Sequence, residues 1–112
     1  MLTFEKTDGV TIGILQVNRV DAANSQDLSR EAIEHLPEDQ HIILDLEQVK
    51  FMDSTGLGWL LELARTIQGR GKKLFLCKPT NAVKTLFKLV RLTRVIDIFD
   101  SRNEAVEKAR NL

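Results

Sequence analysis

The sequence predicts an α/β domain: a mixed, mostly parallel sheet of about five strands, four helices and an N-terminal β-hairpin. Three observations carry this. Two β-rich runs at the start are separated by Thr7-Asp8-Gly9. Beyond them, short runs of branched apolar residues alternate with segments whose apolar residues recur at three and four. That alternation implies βαβ crossovers and parallel pairing after one antiparallel hairpin. Finally, 112 residues favour one domain, 1–112.

The first runs are Leu2 to Lys6 and Val10 to Val17. Asp-Gly between them is a hairpin signal, because both residues tolerate positive φ. Asn24 or Ser25 can cap a helix reaching Leu36, with Leu28, Ala32, Ile33 and Leu36 at helical spacing and Pro37 as its stop. His41 to Leu46 is apolar at nearly every position, which predicts a central strand covered on both faces. Leu57, Leu60, Leu61, Ala64 and Ile67 then form a helical stripe ended by Gly69 and Gly71. Lys73 to Lys78 reads as a strand. Pro79-Thr80-Asn81 opens a helix with Val83, Leu86, Phe87 and Val90 on its core face. Val95 to Phe99 is a last strand, and Ser101 with Glu104 makes a capping box for a final helix.

Composition narrows the function classes. Lysine plus arginine equals aspartate plus glutamate at 16 each, so no basic excess invites nucleic acid or an anionic membrane. No apolar run approaches the roughly 20 residues of a membrane span. The start, MLTFEKTDG, does not read as a secretory signal. Cys77, the only cysteine, excludes an internal disulfide and sits in an apolar strand-like run as a buried, inert thiol. A cytoplasmic protein with a protein or small-molecule partner is expected.

Catalytic motifs are absent. His35 and His41 flank a Pro-Glu-Asp turn and read as solvated or locally satisfied. The serine in Asp53-Ser54-Thr55-Gly56 is not in a G-x-S-x-G elbow, and no Gly-Lys-Ser/Thr makes a Walker loop. No cofactor and no metal site are expected, and the chain does not read as an enzyme.

The stretch FMDSTGLGWLLELA, Phe51 to Ala64, holds the sharpest question. In open α/β sheets, sites form where strands deliver the chain to helix N-termini. Ser54 sits at such a junction. It can be an N-cap, or it can be a phosphate acceptor facing free N–H groups and the positive end of the helix dipole. Gly56 and Gly58 strip side chains from the first turn, at a helix cost of up to roughly 1 kcal/mol each. At about 100° per residue, Trp59 falls more than a quarter-turn off the apolar stripe, with Leu63 beside it at i+4. It therefore reads either as a partly exposed interface residue or as packed under a neighbouring element.

At these residues the sequence resembles the STAS domain in its small single-domain form, the bacterial anti-sigma factor antagonists. The resemblance covers essentially the whole chain. Its most specific part runs from Ile43-Leu44-Asp45-Leu46 through Asp53-Ser54-Thr55-Gly56-Leu57-Gly58, joined by Val20 to Asn24 and by Lys84 to Leu92 through Phe99. The resemblance implies that the protein is a substrate, not an enzyme. An anti-sigma factor that is an ATP-dependent serine kinase of the GHKL type would phosphorylate Ser54. The unphosphorylated form would bind that kinase and free the sigma factor. Phosphorylation would break the complex and a PP2C-type phosphatase would restore it. Asp21, Asp53, Thr55, Gly56, Leu57, Gly58, Trp59 and Leu63 are then the expected partner-binding residues, with Thr55 a secondary acceptor. One departure is Asn18-Arg19-Val20-Asp21, where the family often has a Gly-Glu-Leu-Asp-like turn; Arg19 replaces a frequent acid. The resemblance also leaves room for a scaffold subunit of a stress-sensing assembly, a regulator of secretion or another non-sigma target, and a lipid-transport accessory subunit. The intact D-S-T-G-L-G string argues against the last.

Overall fold

The computed structural model describes all residues, Met1–Leu112. Strands β1 (Leu2–Thr7) and β2 (Val10–Leu15) form the expected hairpin, in register from Leu2 opposite Leu15 to Thr7 opposite Val10. Asp8 and Gly9 both hold positive φ, 51° and 77°, the pairing that a two-residue turn of matching twist requires. The chain continues through β3 (Arg19–Val20), α1 (Ser25–His35), β4 (Ile42–Asp45), β5 (Phe51–Met52) and α2 (Ser54–Gly69). It ends with β6 (Leu74–Cys77), α3 (Asn81–Leu89), a 3₁₀ turn (Leu92–Arg94), β7 (Asp97–Phe99) and α4 (Arg102–Arg110).

The main sheet has five strands in the order β1-β2-β4-β6-β7, parallel everywhere except the hairpin. This is the predicted α/β class. The apolar run at β4 is explained by burial on both faces. Ile42 and Leu44 join a core with α1, α2 and α3, while Ile43 joins a second core under Ala105 and Ala109 of α4. Leu74 and Leu76 of β6 against Phe75 and Cys77 repeat the same alternation.

One ion pair ties α4 to its face. Asp45 is 2% exposed, and Arg102 donates to its Oδ2 at 2.9 Å and to Glu5 Oε2 at 2.7 Å. The bond to Asp45 pushes the Arg102 guanidinium further above its ordinary range. Ser101 completes the capping box by accepting from the Glu104 N–H at 3.1 Å.

Three expectations are corrected. Ile33 is 74% exposed on the outer side of α1, although its spacing places it beside Ala32 and Leu36. Val90 is 45% exposed past the end of α3. Val95 precedes the last strand, which begins at Asp97, and is exposed as well. Ile33 keeps its helical position but no element covers that side, whereas Val90 and Val95 fall outside the elements expected to hold them. A further difference is a second sheet, β3 paired in parallel with β5, which two-residue strands do not announce in a sequence. No helix is long and apolar enough to cross a membrane.

Candidate functional site

The small sheet builds the site. Arg19 pairs with Phe51 and Val20 with Met52, so the two strands end side by side. One delivers the turn Asp21-Ala22-Ala23 before α1, and the other delivers Asp53-Ser54 at the start of α2. Asp53 joins them. Its Oδ1 accepts from the Gly56 N–H at 2.8 Å, capping α2, and its Oδ2 accepts from the Ala22 N–H at 3.3 Å. The Asp53 N–H in turn donates to the Val20 carbonyl at 3.3 Å.

Asp53, not Ser54, is therefore the N-cap. This corrects the capping role open to Ser54. Both residue types can cap, and the choice falls on Asp53 because its second oxygen also reaches the Ala22 N–H. Ser54 becomes the first residue of the helix and is exposed, with its hydroxyl free of the capping function.

Gly56 is also corrected. It is buried, and a Cβ there would lie 2.1 Å from the Val20 carbonyl oxygen. The glycine is needed so that α2 can press against the backbone of β3. Gly58 is different: it is exposed, with open space where a Cβ would stand. Of the two glycines, only Gly58 leaves backbone open to a partner.

Trp59 and Leu63 are 5% and 9% exposed and belong to the core, whereas Leu57 and Leu61 are half-buried. Of the two readings open for Trp59, packing under a neighbouring element is the one the structure bears out. The apolar face of α2 is wider than the stripe, because α1 packs alongside and covers the Trp59–Leu63 flank. Trp59 reaches only the floor of a groove between α1 and α2, whose rim includes Thr55 and Gly58.

Asp21 sits at the centre of the other turn. The Arg19 guanidinium donates to its Oδ2 at 3.1 Å and holds its carboxyl below the ordinary value. Desolvation opposes that shift, and the Ala23 N–H, donating to Oδ1 at 3.0 Å, reinforces it. Arg19 also lies over the Phe51 ring, 4.3 Å from its centroid, and Phe51 is 43% exposed. Reading the sequence left Phe51 out of the site. Its signal was an aromatic residue two positions before Asp53, on an edge too short to read as a strand.

The surface around Ser54 therefore gathers Asp21, Asp53, Thr55, Gly58 and half-buried Leu57, bordered by Arg19 and Phe51. It carries two carboxylates, one guanidinium and the unengaged hydroxyls of Ser54 and Thr55 on the positive end of a helix. Elsewhere the reactive groups are quenched. Burial, then the charge of Asp45, pushes the Cys77 thiol up to about 12, so it is no nucleophile near neutrality. His41 Nδ1 accepts from the Lys73 N–H at 3.0 Å, the local satisfaction expected of it. Burial and the charges of Lys72 and Lys73 lower its pKa.

Comparison with known proteins gives this arrangement a family. The STAS domain profile matches residues 2–105. BtrV of Bordetella bronchiseptica, provisionally named an anti-sigma factor antagonist, is 28% identical over 105 residues, covering 93% of this chain and 90% of BtrV. A Thermotoga maritima crystal structure with the same provisional description superposes with a TM-score of 0.85 at 26% identity, covering 97% of this chain and 94% of that one. The anti-sigma factor antagonist SpoIIAA, solved in its unphosphorylated form, has a TM-score of 0.76 at 20% identity, over 100% of this chain and 98% of its own. Its phosphorylated form has a TM-score of 0.64 at 20% identity, over 98% and 100%. At that identity the SpoIIAA likeness speaks for the fold alone. With the profile spanning nearly the whole chain, the protein belongs to the STAS domain family.

Proposed function

We propose that the protein is an anti-sigma factor antagonist that works by partner switching. Unphosphorylated, it binds a cognate anti-sigma factor that is also an ATP-dependent GHKL-type serine kinase, and so releases the sigma factor. Phosphorylation of Ser54 ends that binding, and a PP2C-type phosphatase restores it. The chain is the substrate of this cycle, not a catalyst. The observation that carries the reading is the division of labour at the start of α2. Asp53 takes the cap, and Ser54 keeps an exposed, unengaged hydroxyl beside open Gly58. The name borne by BtrV supports it.

The mechanism is local. A phosphoryl group adds about −1.5 to −2 charge at neutral pH. On the first residue of α2 it meets the positive end of the helix dipole, so the fold tolerates it. Asp53 and Asp21 already make this surface acidic. Inside a packed interface the added charge would have to shed water without a matching cation, at a cost of several kcal/mol. Repulsion and desolvation at the interface, not unfolding, then separate the partners.

Site-mapped mass spectrometry of protein from its native cells, with and without phosphatase, tests the first step; a phosphatase-sensitive phosphoryl group on Ser54 is expected. The Ser54→Ala chain, used as bait, should capture the kinase and not be released by ATP. Ser54→Asp should fail to bind that kinase while its circular dichroism stays native. A Ser54→Asp chain that binds as well as wild type defeats the repulsion mechanism.

A further inference from the structure

The zero net charge hides a segregation that has no part in the Ser54 surface. Residues 81–96 contain four cations, Lys84, Lys88, Arg91 and Arg94, and no acid. They rim a hollow of about 380 Å³ between α3, the 3₁₀ turn and β7, with Phe87 and Ile98 on its floor. Lys84 is engaged by Asp100 at 2.7 Å, while Lys88, Arg91 and Arg94 take part in no ion pair.

The opposite character is found on α1 and the turn after it. Residues 26–40 hold five acids and a single arginine. Some are engaged: Asp27 with Arg30 at 3.3 Å, Glu31 with the chain amino terminus at 3.5 Å, and Glu38 with Arg70 at 3.9 Å. Glu34 has only its neighbour His35 at 3.8 Å, and Asp39 is exposed without an ion pair. From the same segment Ile33 projects, 74% exposed, with Glu34 next to it and Arg30 one turn before it. A branched apolar side chain that nothing covers stands on a segment of net negative charge. At the far edge of the molecule, an apolar-floored hollow is rimmed by positive charge.

We propose that the occupant of the hollow is a second copy of this chain, with Ile33 seated over Phe87 and Ile98 and the α1 carboxylates meeting Lys88, Arg91 and Arg94. The two surfaces are different patches of the molecule. α1 packs beside β1 and the hollow opens beside β7, the two edges of the five-stranded sheet. The contact is therefore heterologous, head to tail, and each added copy leaves one knob and one hollow free. No net charge opposes approach. The attraction is between exposed groups, so salt weakens it.

Sedimentation velocity on the full chain tests this. At about 0.02 M salt the weight-average sedimentation coefficient should rise with concentration into the millimolar range without reaching a dimer plateau. At about 0.5 M salt it should stay at the monomer value. Two surface variants sharpen the result, each checked for native circular dichroism. One carries Ile33→Ser, Glu34→Gln and Glu38→Gln, and the other carries Lys88→Gln, Arg91→Gln and Arg94→Gln. Each should be monomeric alone. Mixed, they should form a one-to-one dimer that grows no further, because one knob and one hollow remain. A wild-type chain that is monomeric throughout at low salt overturns the proposal. So does association that survives either variant. If such a monomer instead pellets with phosphatidylglycerol vesicles and the lysine–arginine variant does not, the hollow serves an anionic bilayer and the second copy is rejected.

Discussion

The first turns of α2 and α4 invite comparison. Each helix begins with a side chain that caps it, Asp53 in one and Ser101 in the other. In each, the next residue occupies the first helical position. At α4 that residue is Arg102, a cation at the end of a helix where positive charge is unfavourable. It is held there by the buried carboxylate of Asp45 and by Glu5. The capping serine is itself consumed, donating to Glu104 Oε1 at 3.1 Å and accepting from the Glu104 N–H. At α2 the aspartate does all the binding, across to Ala22 and forward to Gly56, and Ser54 is left over. A first turn whose leading cation is locked to a buried carboxylate is a structural joint. A first turn with exposed, unengaged hydroxyls, those of Ser54 and Thr55, can afford a modification there.

The comparison can be broken most sharply at Arg102. Arg102→Ala leaves the Asp45 carboxylate buried without its partner and should cost about 3 kcal/mol, read from urea unfolding. A loss below about 1 kcal/mol would mean that water reaches Asp45 and the joint is not closed.

The glycines of α2 should separate next. Gly56→Ala drives a methyl into the Val20 carbonyl and should destabilise by about 2 kcal/mol, because backbone must move. Gly58→Ala has open space and a helical gain, so it should stabilise by up to about 1 kcal/mol. If both are tolerated equally, α2 does not press on β3.

Neighbouring residues should then differ in the same way. Asp53→Ala removes the cap and the link to Ala22, costing about 1 kcal/mol in thermal or urea unfolding. Ser54→Ala should change stability by less than about 0.5 kcal/mol. The reverse order would restore the capping role to Ser54.

The smallest effect is electrostatic. The Asp21 carboxyl should titrate below 3.8 by NMR, and Arg19→Gln should move it back towards that value. Because the folded value is depressed, the Arg19–Asp21 contact contributes to stability above pH 3.8. That contribution is lost as the pH falls through the folded value. An Asp21 indifferent to Arg19→Gln would mean that the guanidinium stacks on Phe51 alone.

What could be read from the chain without coordinates was whatever depends on near neighbours in sequence. The Asp8-Gly9 turn, the three helical periods, the Ser101–Glu104 box and the doubly apolar β4 run are all local, set by φ preference, side-chain spacing and capping chemistry. The alternation of strands and helices then leaves few topologies, and the five-stranded sheet is among them. Tertiary structure decided what needed a partner far along the chain. Trp59, off the apolar stripe of α2, is buried because α1 lies against that flank, while Ile33, on the stripe of α1, is exposed because nothing lies against it. Asp53 rather than Ser54 caps α2 because Ala22, 31 residues earlier, offers a second N–H. Gly56 is indispensable because β3 passes within reach of its missing Cβ, and β3 itself exists only as the partner of β5. Periodicity fixes the phase of an element but not which of its sides another element will cover, and a capping preference shared by two adjacent residues is settled by whichever one also satisfies a distant donor.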